Sequence, residues 1–575
     1  MRQSIETLLA SALDGLRADG VVPEDAQTRG VKIERPKDKS HGDFSTNAAM
    51  VLAKQARMKP RELAEKLIAA LPADQQVVTR SEIAGPGFIN FFVSPEHLRQ
   101  TITQVLSEAG NYGRSELGKG QKVLVEFVSA NPTGPMHVGH GRGAVTGDVL
   151  ARILEYAGYG VEREYYLNDA GVQIQVLGES VMLRYRELFG DTITIPEKCY
   201  PGEYVIDIAK ALKEKDGDKW LELARSDAET VPREPLVIAM DEVLQWIKSD
   251  LALLNIHFDH WFSEYALHSE GRVDHAVDVL QQKGHLYQGV LEPPKGKKPD
   301  DWEPRPQLLF KATEFGDEVD RALKKSDGSY TYFAADVAYH LDKAERGYDR
   351  LVNIWGADHG GYVKRVQAAL GAFSDKKDLL HCLLVQMVNL TRGGEPVKMS
   401  KRAGTFVTLR EVVDATSADA VRFWFLSRGS GAPLDFDLDL AVSKSNDNPV
   451  YYVQYAHARI CSLWNKAKAE GVKLNEQALS EVDLSPLEGE ATWGLIRKLE
   501  LFPDIVEAAA LHQEPHRVPY YLLDLAAAFH TFYNSHRVMG EAEGVQSARL
   551  VLVTAVRQVI ANGLKLLGVS QPEQM

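Results

Sequence analysis

Val123–Leu–Val–Glu126–Phe–Val128 is an unbroken β-prone run, the pattern of a strand covered on both faces. The loop behind it reads Ser129–Ala–Asn131–Pro–Thr–Gly–Pro–Met–His137–Val–Gly139–His140–Gly–Arg–Gly143. Helical spacing follows over Gly143–Ala157 and stops at Gly158, and Val161–Leu167 offers a second strand. Strand, loop, helix and strand in so short a span is the βαβ signal of a parallel, nucleotide-binding sheet. Leu351–Trp355 and Leu383–Leu390 are further strand candidates for the same sheet.

Outward from this centre the chain changes character in both directions. On the amino-terminal side, helical patterns cover Ile5–Ala18, Thr46–Arg57 and Pro60–Ala70, with Pro60 suited to a first helical turn. Ile83–Val93 reads as a Gly/Pro turn feeding a strand, and Pro95–Ala109 as a helix before a glycine-bearing linker at 110–120. Within the central region, Phe189–Lys248 is polar and helix-prone and reads as an insertion, while Pro293–Pro299 reads as a charged surface loop. After about Asp439 the strand signals end. Tyr451–Lys466, Ala491–Ala509, Pro519–His536 and Ala548–Leu567 all carry apolar residues at helical spacing, an all-helical bundle.

Composition bounds what such a molecule can be. With 575 residues, roughly 150 per domain suggests about four domains. Hydrophobic content of 44% and charged content of 25% are ordinary globular values and exclude a disordered or collagen-like chain. No uninterrupted apolar stretch reaches the ~18 residues of a membrane span, and the first residues lack the apolar core of a secretion signal. Three scattered cysteines without CxxC spacing argue for a reducing compartment and against a thiolate zinc site. A cytoplasmic protein without a membrane partner is expected. The net charge of −14 argues against a protein that coats nucleic acid by bulk charge, so an RNA partner would be held by local patches and shape.

Two elements carry chemistry. His137 and His140 flank Gly139 at a helix start, where backbone N–H groups and the helix dipole favour an anion and two imidazoles can stabilise charge on phosphorus. Taken alone, the pair is equally readable as a helix cap or as part of a metal site, although no third ligand is evident. Far downstream, Gly393–Gly–Glu–Pro–Val–Lys398–Met399–Ser400–Lys401–Arg–Ala–Gly404 sets two lysines between glycines, a loop suited to delivering compact positive charge to polyphosphate or, alone, a solvated surface turn.

Together the two elements are specific. His137–Val–Gly–His140 resembles the HIGH signature and Lys398–Met399–Ser400–Lys401 the KMSK signature of class I aminoacyl-tRNA synthetases. The stretch from Val125 to His140, Gly42–Asp–Phe–Ser–Thr–Asn–Ala–Ala49, Asp435–Phe–Asp437 and Ser445–His457 resemble arginyl-tRNA synthetases in particular, over essentially the whole chain. The resemblance implies an α/β architecture with a Rossmann-type parallel-sheet catalytic domain (113–442, insertion about 189–248). An amino-terminal α+β appended domain (1–112) would meet the tRNA corner, and an all-α carboxy-terminal domain (443–575) the anticodon arm.

It also implies a reaction: arginine attacks the α-phosphorus of ATP, and the resulting adenylate passes arginine to the terminal ribose of tRNA-Arg. ATP would bind at His137, Gly139, His140 and Lys398–Lys401, with Mg2+ carried on its phosphates and no tightly bound metal or organic cofactor. A guanidinium needs carboxylates and an aromatic wall. Tyr332 and Asp336, four apart and so on one face if helical, match the family's arginine-binding pair, and Glu264 its second carboxylate. Asn131, Ser129, Glu126 and His140 match positions near the amino acid's polar end, and Asp358 stands nearest to a glutamine that some members use. Read without the family, Tyr332 suits a core and Glu126 an interstrand or capping ion pair. Tyr451, Tyr452, Tyr455, Trp464, His536 and Arg537 are candidate tRNA contacts in the bundle, against a core reading of the aromatics. Arg35, Lys37 and Lys39 are candidates at the amino-terminal end. A monomer is expected, with activation that waits for tRNA. A different nucleotidyl transferase of the same fold and a catalytically silent RNA-binding paralogue are the competing readings.

Overall fold

The computed structural model describes the chain except for residues 37, 73–76, 227–229, 293–304, 375, 377, 398–406, 473–478 and 480. At its centre is a five-stranded sheet in the order Leu380–Val385, Arg350–Gly356, Lys122–Glu126, Gly160–Leu167, His260–Ser263. Every pairing is parallel, with Val123 beside Val161 on one flank and Leu124 beside Leu351 on the other. Lys122–Glu126 is buried from Val123 onward, as its unbroken apolar run requires. In chain order the strands are arranged 5-4-1-2-3, so the winding reverses beside Lys122–Glu126. In a doubly wound sheet ligands bind outside the strand carboxyl ends at that reversal. The split of the Leu383–Leu390 expectation into Leu380–Val385 and Val388–Arg392 takes the second piece into another sheet, against Leu434–Asp437.

The helix after the central strand spans Val138–Tyr156, five residues earlier than the spacing suggested, because His137 caps it and the histidine pair forms its first turn. The inserted region folds as Tyr204–Asp216, Leu221–Arg225 and Arg233–Leu253 beside Val172–Glu187. It is less polar than its composition implied. Val205, Ile208, Leu212, Met240, Val243 and Ile247 are all buried, an apolar stripe on each long helix. Pro293–Pro299 lies outside the described residues.

The amino-terminal unit holds an antiparallel sheet, Ile33–Glu34, Phe44–Thr46, Phe88–Val93 and Val78–Ala84 in spatial order, with helices Arg2–Ala18 and Pro60–Ala70. The helix expected over Thr46–Arg57 is corrected to Ala48–Leu52: Thr46 pairs with Ile89 in the sheet, so the strand claims the start of that pattern. Strand Val78–Ala84, with mixed exposure along its length, had no clear periodicity to announce it. The bundle comprises Pro449–Ala469, Glu490–His512, Arg517–Ser535 and Glu543–Leu567. Its last helix is long and apolar enough to cross a membrane by length and composition, but 78% of that apolar window is buried inside the protein, as the centre of a helix bundle requires.

The segment around 110–120 is not a free linker. The Tyr112 hydroxyl donates to Leu499 O (3.0 Å), and Asn562 Nδ2 donates to Ala109 O (2.8 Å). Helix Pro95–Glu108 packs on two bundle helices, Glu490–His512 and Glu543–Leu567.

Candidate functional site

The site begins where the central strand ends. Val128 and Ser129 both have positive φ (69° and 42°), and Ser129 N–H closes onto Phe127 O at 3.0 Å, a tight turn that a β-branched residue adopts only under strain. The turn is held from its side chains. Ser129 Oγ donates to Glu126 Oε1 (3.0 Å) and accepts from Tyr166 N–H (3.2 Å) on the neighbouring strand. It throws the chain across the strand tips and sets Asn131 at the edge of a pocket.

Glu126 itself faces inward. Lys343 Nζ, fully buried, donates to Glu126 Oε2 (2.5 Å) and to Asn353 Oδ1 (3.0 Å), and the Tyr339 hydroxyl oxygen lies 3.3 Å from Glu126 Oε2. Behind it Glu164 accepts two bonds from Arg346 (2.6 and 2.9 Å) and one from Tyr339 (2.6 Å). Glu126 therefore pairs with a lysine of helix Tyr332–Glu345, not with a neighbouring strand or a helix cap as its sequence suggested, and holds up the site from below.

The pocket, about 230 Å3, is lined by Asn131, Tyr166, Asn168, Gln173, Glu264, Tyr332 and Asp336 together with Ala170, Val172 and Ala335. Four expected residues meet there: Asn131 after the first strand, Glu264 at the start of helix Glu264–Ser269 after the third, and Tyr332 and Asp336 on the first turns of helix Tyr332–Glu345. The spacing argument for the last two holds because the helix begins at Tyr332 itself. Tyr332 is 66% exposed, which removes the core reading.

Charge is the pocket's defining property. Burial, then the neighbouring Asp336 and Asp169, push Glu264 up to about 7. Asp336 is pushed up to about 6, by burial first and by Glu126, against a hydrogen bond from Tyr362 and the field of Lys343. The described lining carries no lysine or arginine. Two carboxylates that resist ionising, Glu264 buried and Asp336 half-buried, stand beside an exposed phenol ring and await a cation brought from outside.

Asp169 braces this wall, accepting from Ser263 Oγ (2.7 Å) and Tyr265 N–H (2.8 Å), with Arg233 at 3.3 Å. Sequence reasoning passed over Tyr166, Asn168 and Gln173. The only local signal was the turn chemistry of Asn168–Asp169–Ala–Gly171, and Gln173 enters through the 2.5 Å bond that its Oε1 accepts from Asn131 Nδ2. Asp358 is not among the lining residues. Its side chain is 85% exposed and lies beside His359 (3.8 Å).

His137 and His140 are half-buried and stacked, ring centroids 3.7 Å apart, and form a reciprocal cap: His137 Nδ1 accepts from Gly139 N–H (3.1 Å), and His137 N–H points to His140 Nδ1 (3.4 Å). A Cβ at Gly139 would stand 2.9 Å from the His137 ring, so glycine is what the cap admits. The capping reading is thus satisfied, while the helix start still presents N–H groups at the sheet's reversal point. Among the described residues no group of three His, Cys, Asp or Glu side chains is placed to hold a metal.

Lys398, Met399, Ser400 and Lys401 lie outside the described residues. The flanks of that segment are described. Val397 N–H donates to Leu390 O (2.9 Å), and on the far side Thr408 pairs with His137 while Leu409 N–H donates to Met136 O (2.8 Å). The returning chain is therefore stitched directly to the histidine turn. Arg142, four residues into the same helix, is fully buried and donates to the carbonyls of Gln386 (2.9 Å), Ala432 (2.8 Å) and Gly429 (3.1 Å), burial pulling it down to about 10.

In the bundle, Tyr451 and Tyr455 stack at 5.7 Å and are half-buried, with the Arg459 guanidinium over Tyr455. Tyr452 is half-buried against His530 (4.9 Å). His536 and Arg537 line a groove of about 550 Å3 with Lys466 and Tyr533. Trp464 is corrected to a core residue: it is 2% exposed and donates to Thr554 Oγ1 (2.7 Å). Arg35 is likewise corrected, since it pairs with Glu500 and Asp504 of the bundle. Lys37 lies outside the described residues, as does the side chain of Lys39.

Comparison with known proteins adds the relationships. The chain matches an arginyl-tRNA synthetase N-terminal domain over residues 3–93, a class I (R) tRNA synthetase catalytic domain over 101–189 and a DALR anticodon-binding domain over 453–575. It is 75% identical to an arginine–tRNA ligase of Magnetococcus marinus across 100% of both chains. With one from Ruegeria pomeroyi it is 48% identical over 99% of this chain and 98% of the other. The Thermus thermophilus arginyl-tRNA synthetase structure, at 23% identity, superposes over 100% of both chains with a TM-score of 0.74 and shows the shared fold.

Proposed function

From a chain that belongs to the arginyl-tRNA synthetase family, and is an arginine–tRNA ligase of class I, we infer that the pocket at Glu264 and Asp336 is where the substrate guanidinium binds. The family uses arginine, ATP and tRNA, and the competing transferase and silent-paralogue readings fall with that membership. The observation that carries the pocket assignment is the pair of raised carboxylates on a lining that holds no cationic side chain. A permanent planar cation restores both to their ionised forms and stacks on Tyr332. Asn131 and Ser129 then meet the α-amino and carboxylate end, with Glu126 fixing Ser129 from beneath.

The carboxylate of arginine so held attacks the α-phosphorus of ATP in line, pyrophosphate leaves, and the terminal ribose hydroxyl of the tRNA then takes the adenylate's acyl group as AMP departs. His137 and His140 stabilise the α-phosphate and Lys398 and Lys401 the departing pyrophosphate, positioning and charge supplying the rate. Mg2+ enters as part of the ATP substrate. Tyr451, Tyr455 and Arg537 meet the anticodon arm and the amino-terminal unit the tRNA corner. The enzyme works as a cytoplasmic monomer, and arginine activation waits for tRNA.

Charging unfractionated tRNA with each of the twenty amino acids tests the assignment: arginine alone should be incorporated, and D336N should lose arginine charging while binding ATP normally. Incorporation of another amino acid, or full arginine affinity in D336N, would contradict it.

A further inference from the structure

The strand Arg350–Gly356 ends in a short turn, Ala357–Tyr362, that approaches the pocket from outside its lining. Tyr362 donates its hydroxyl hydrogen to Asp336 Oδ2. Its ring is fixed between Phe333 and Trp355, each with its centroid 6.4 Å away, and carries the Arg365 guanidinium 5.2 Å above it. The phenol, packed among these groups, presents its donor to one oxygen of the Asp336 carboxylate.

The remaining surroundings of Asp336 explain why a donor matters. Glu264 shares the pocket with it, and Glu126 and Lys343 act on it from below with opposite signs. His340 binds its backbone carbonyl (2.7 Å) and leaves the carboxyl untouched. A buried carboxylate facing like charge escapes in two ways, by taking up a proton or by turning away. A hydrogen bond to one oxygen opposes both and leaves the second oxygen for an incoming N–H.

We propose that Tyr362 is a positioning residue for arginine selection, holding Asp336 in the orientation and charge state in which Oδ1 receives the guanidinium. The role reaches the substrate through Asp336. It rests on the assignment of this pocket to arginine, and the test separates the two.

Arginine-dependent ATP–pyrophosphate exchange is measured with tRNA present, from pH 6 to 8.5, for the wild-type protein, Y362F, Y362L and D336N. Y362F keeps the ring and removes only the hydroxyl. It is expected to raise KM for arginine about tenfold, the value of a hydrogen bond to a charged group, with KM for ATP and kcat within about twofold of wild type. Because the lost bond favoured the ionised form, the acid limb of kcat/KM for arginine should move to higher pH. Y362L should show the same change in arginine KM and, in addition, a lower Tm from lost packing. A wild-type arginine KM and acid limb in Y362F would mean that only the ring matters, and would overturn the proposal. So would equal losses in arginine and ATP KM. An unchanged arginine KM in D336N would remove the pocket assignment itself, a failure distinguishable from the first.

Discussion

Glu264 makes the free enzyme's response to pH run opposite to that of a salt-bridged acid. Its folded value, about 7, lies above the ordinary 4.5, so between these limits the folded state holds a proton that the unfolded state has released. Stability from this group is present below about 4.5, falls as pH rises towards 7, and stays lost above it, by at most about 3 kcal/mol. E264Q should therefore raise the Tm of the free protein at pH 8 relative to wild type and change little at pH 4.5, as thermal melts across that range would record. Arginine binding has the reverse dependence, since the guanidinium needs both carboxylates ionised. Its KM in the wild-type protein should rise as pH falls through 7 and more steeply below 6, where Asp336 also protonates. The residues behind this behaviour were legible where they lie within one turn or one motif, as Tyr332, Asp336 and Asn131 do. Lys343 beneath Glu126, and Tyr362 on Asp336, were not. Lys343 meets its partner across more than two hundred residues of chain, and no local pattern distinguishes a lysine that folds inward from one that is solvated.

At the scale of elements, helix Val138–Tyr156 is the part on which the site is built, and its contact with the strand end is close. A Cβ at Gly147 would fall 2.2 Å from Phe127 Cγ, directly beneath the strained Val128 turn. G147A should destabilise the protein by about 1–3 kcal/mol through forced repacking, read as a lower Tm, and should weaken arginine binding because Phe127 cannot yield without moving Ser129 and Asn131. Parallel strands rich in valine and leucine, and helices with an apolar stripe, were readable because their periodicity is local. The start of this helix was misplaced because a histidine cap has no place among the usual capping residues. The Thr46–Arg57 pattern was over-read because tertiary strand pairing outcompeted a weak helical signal.

For the molecule as a whole, a boundary drawn at 112 follows composition but not packing. Tyr112 and helix Pro95–Glu108 belong physically to the carboxy-terminal bundle. The amino-terminal unit is clamped to that bundle by Arg35 on Glu500 and Asp504 and by Arg497 on Asp43 (2.6 Å). Glu500 is buried, so R35A should leave it unpaired at a cost of about 3 kcal/mol. Hydrogen exchange should then speed up across residues 1–93 while the bundle core, around Leu499 and Val556, stays protected. Uniform acceleration would mean that the clamp is not local. Three units could be counted from the sequence, but not how the amino-terminal one is clamped to the bundle, because the Arg35 and Arg497 ion pairs join residues more than four hundred positions apart. The strand order carries one last consequence, for synthesis on the ribosome. Lys122–Glu126 finds its first neighbour, Gly160–Leu167, almost at once, yet its other edge waits for Arg350–Gly356. At about 5–20 residues per second, that apolar edge stays open for on the order of 10–40 s in every nascent chain. Chaperone capture, and mutations that slow elongation within that window, should therefore act on this edge more than on any surface of the finished enzyme.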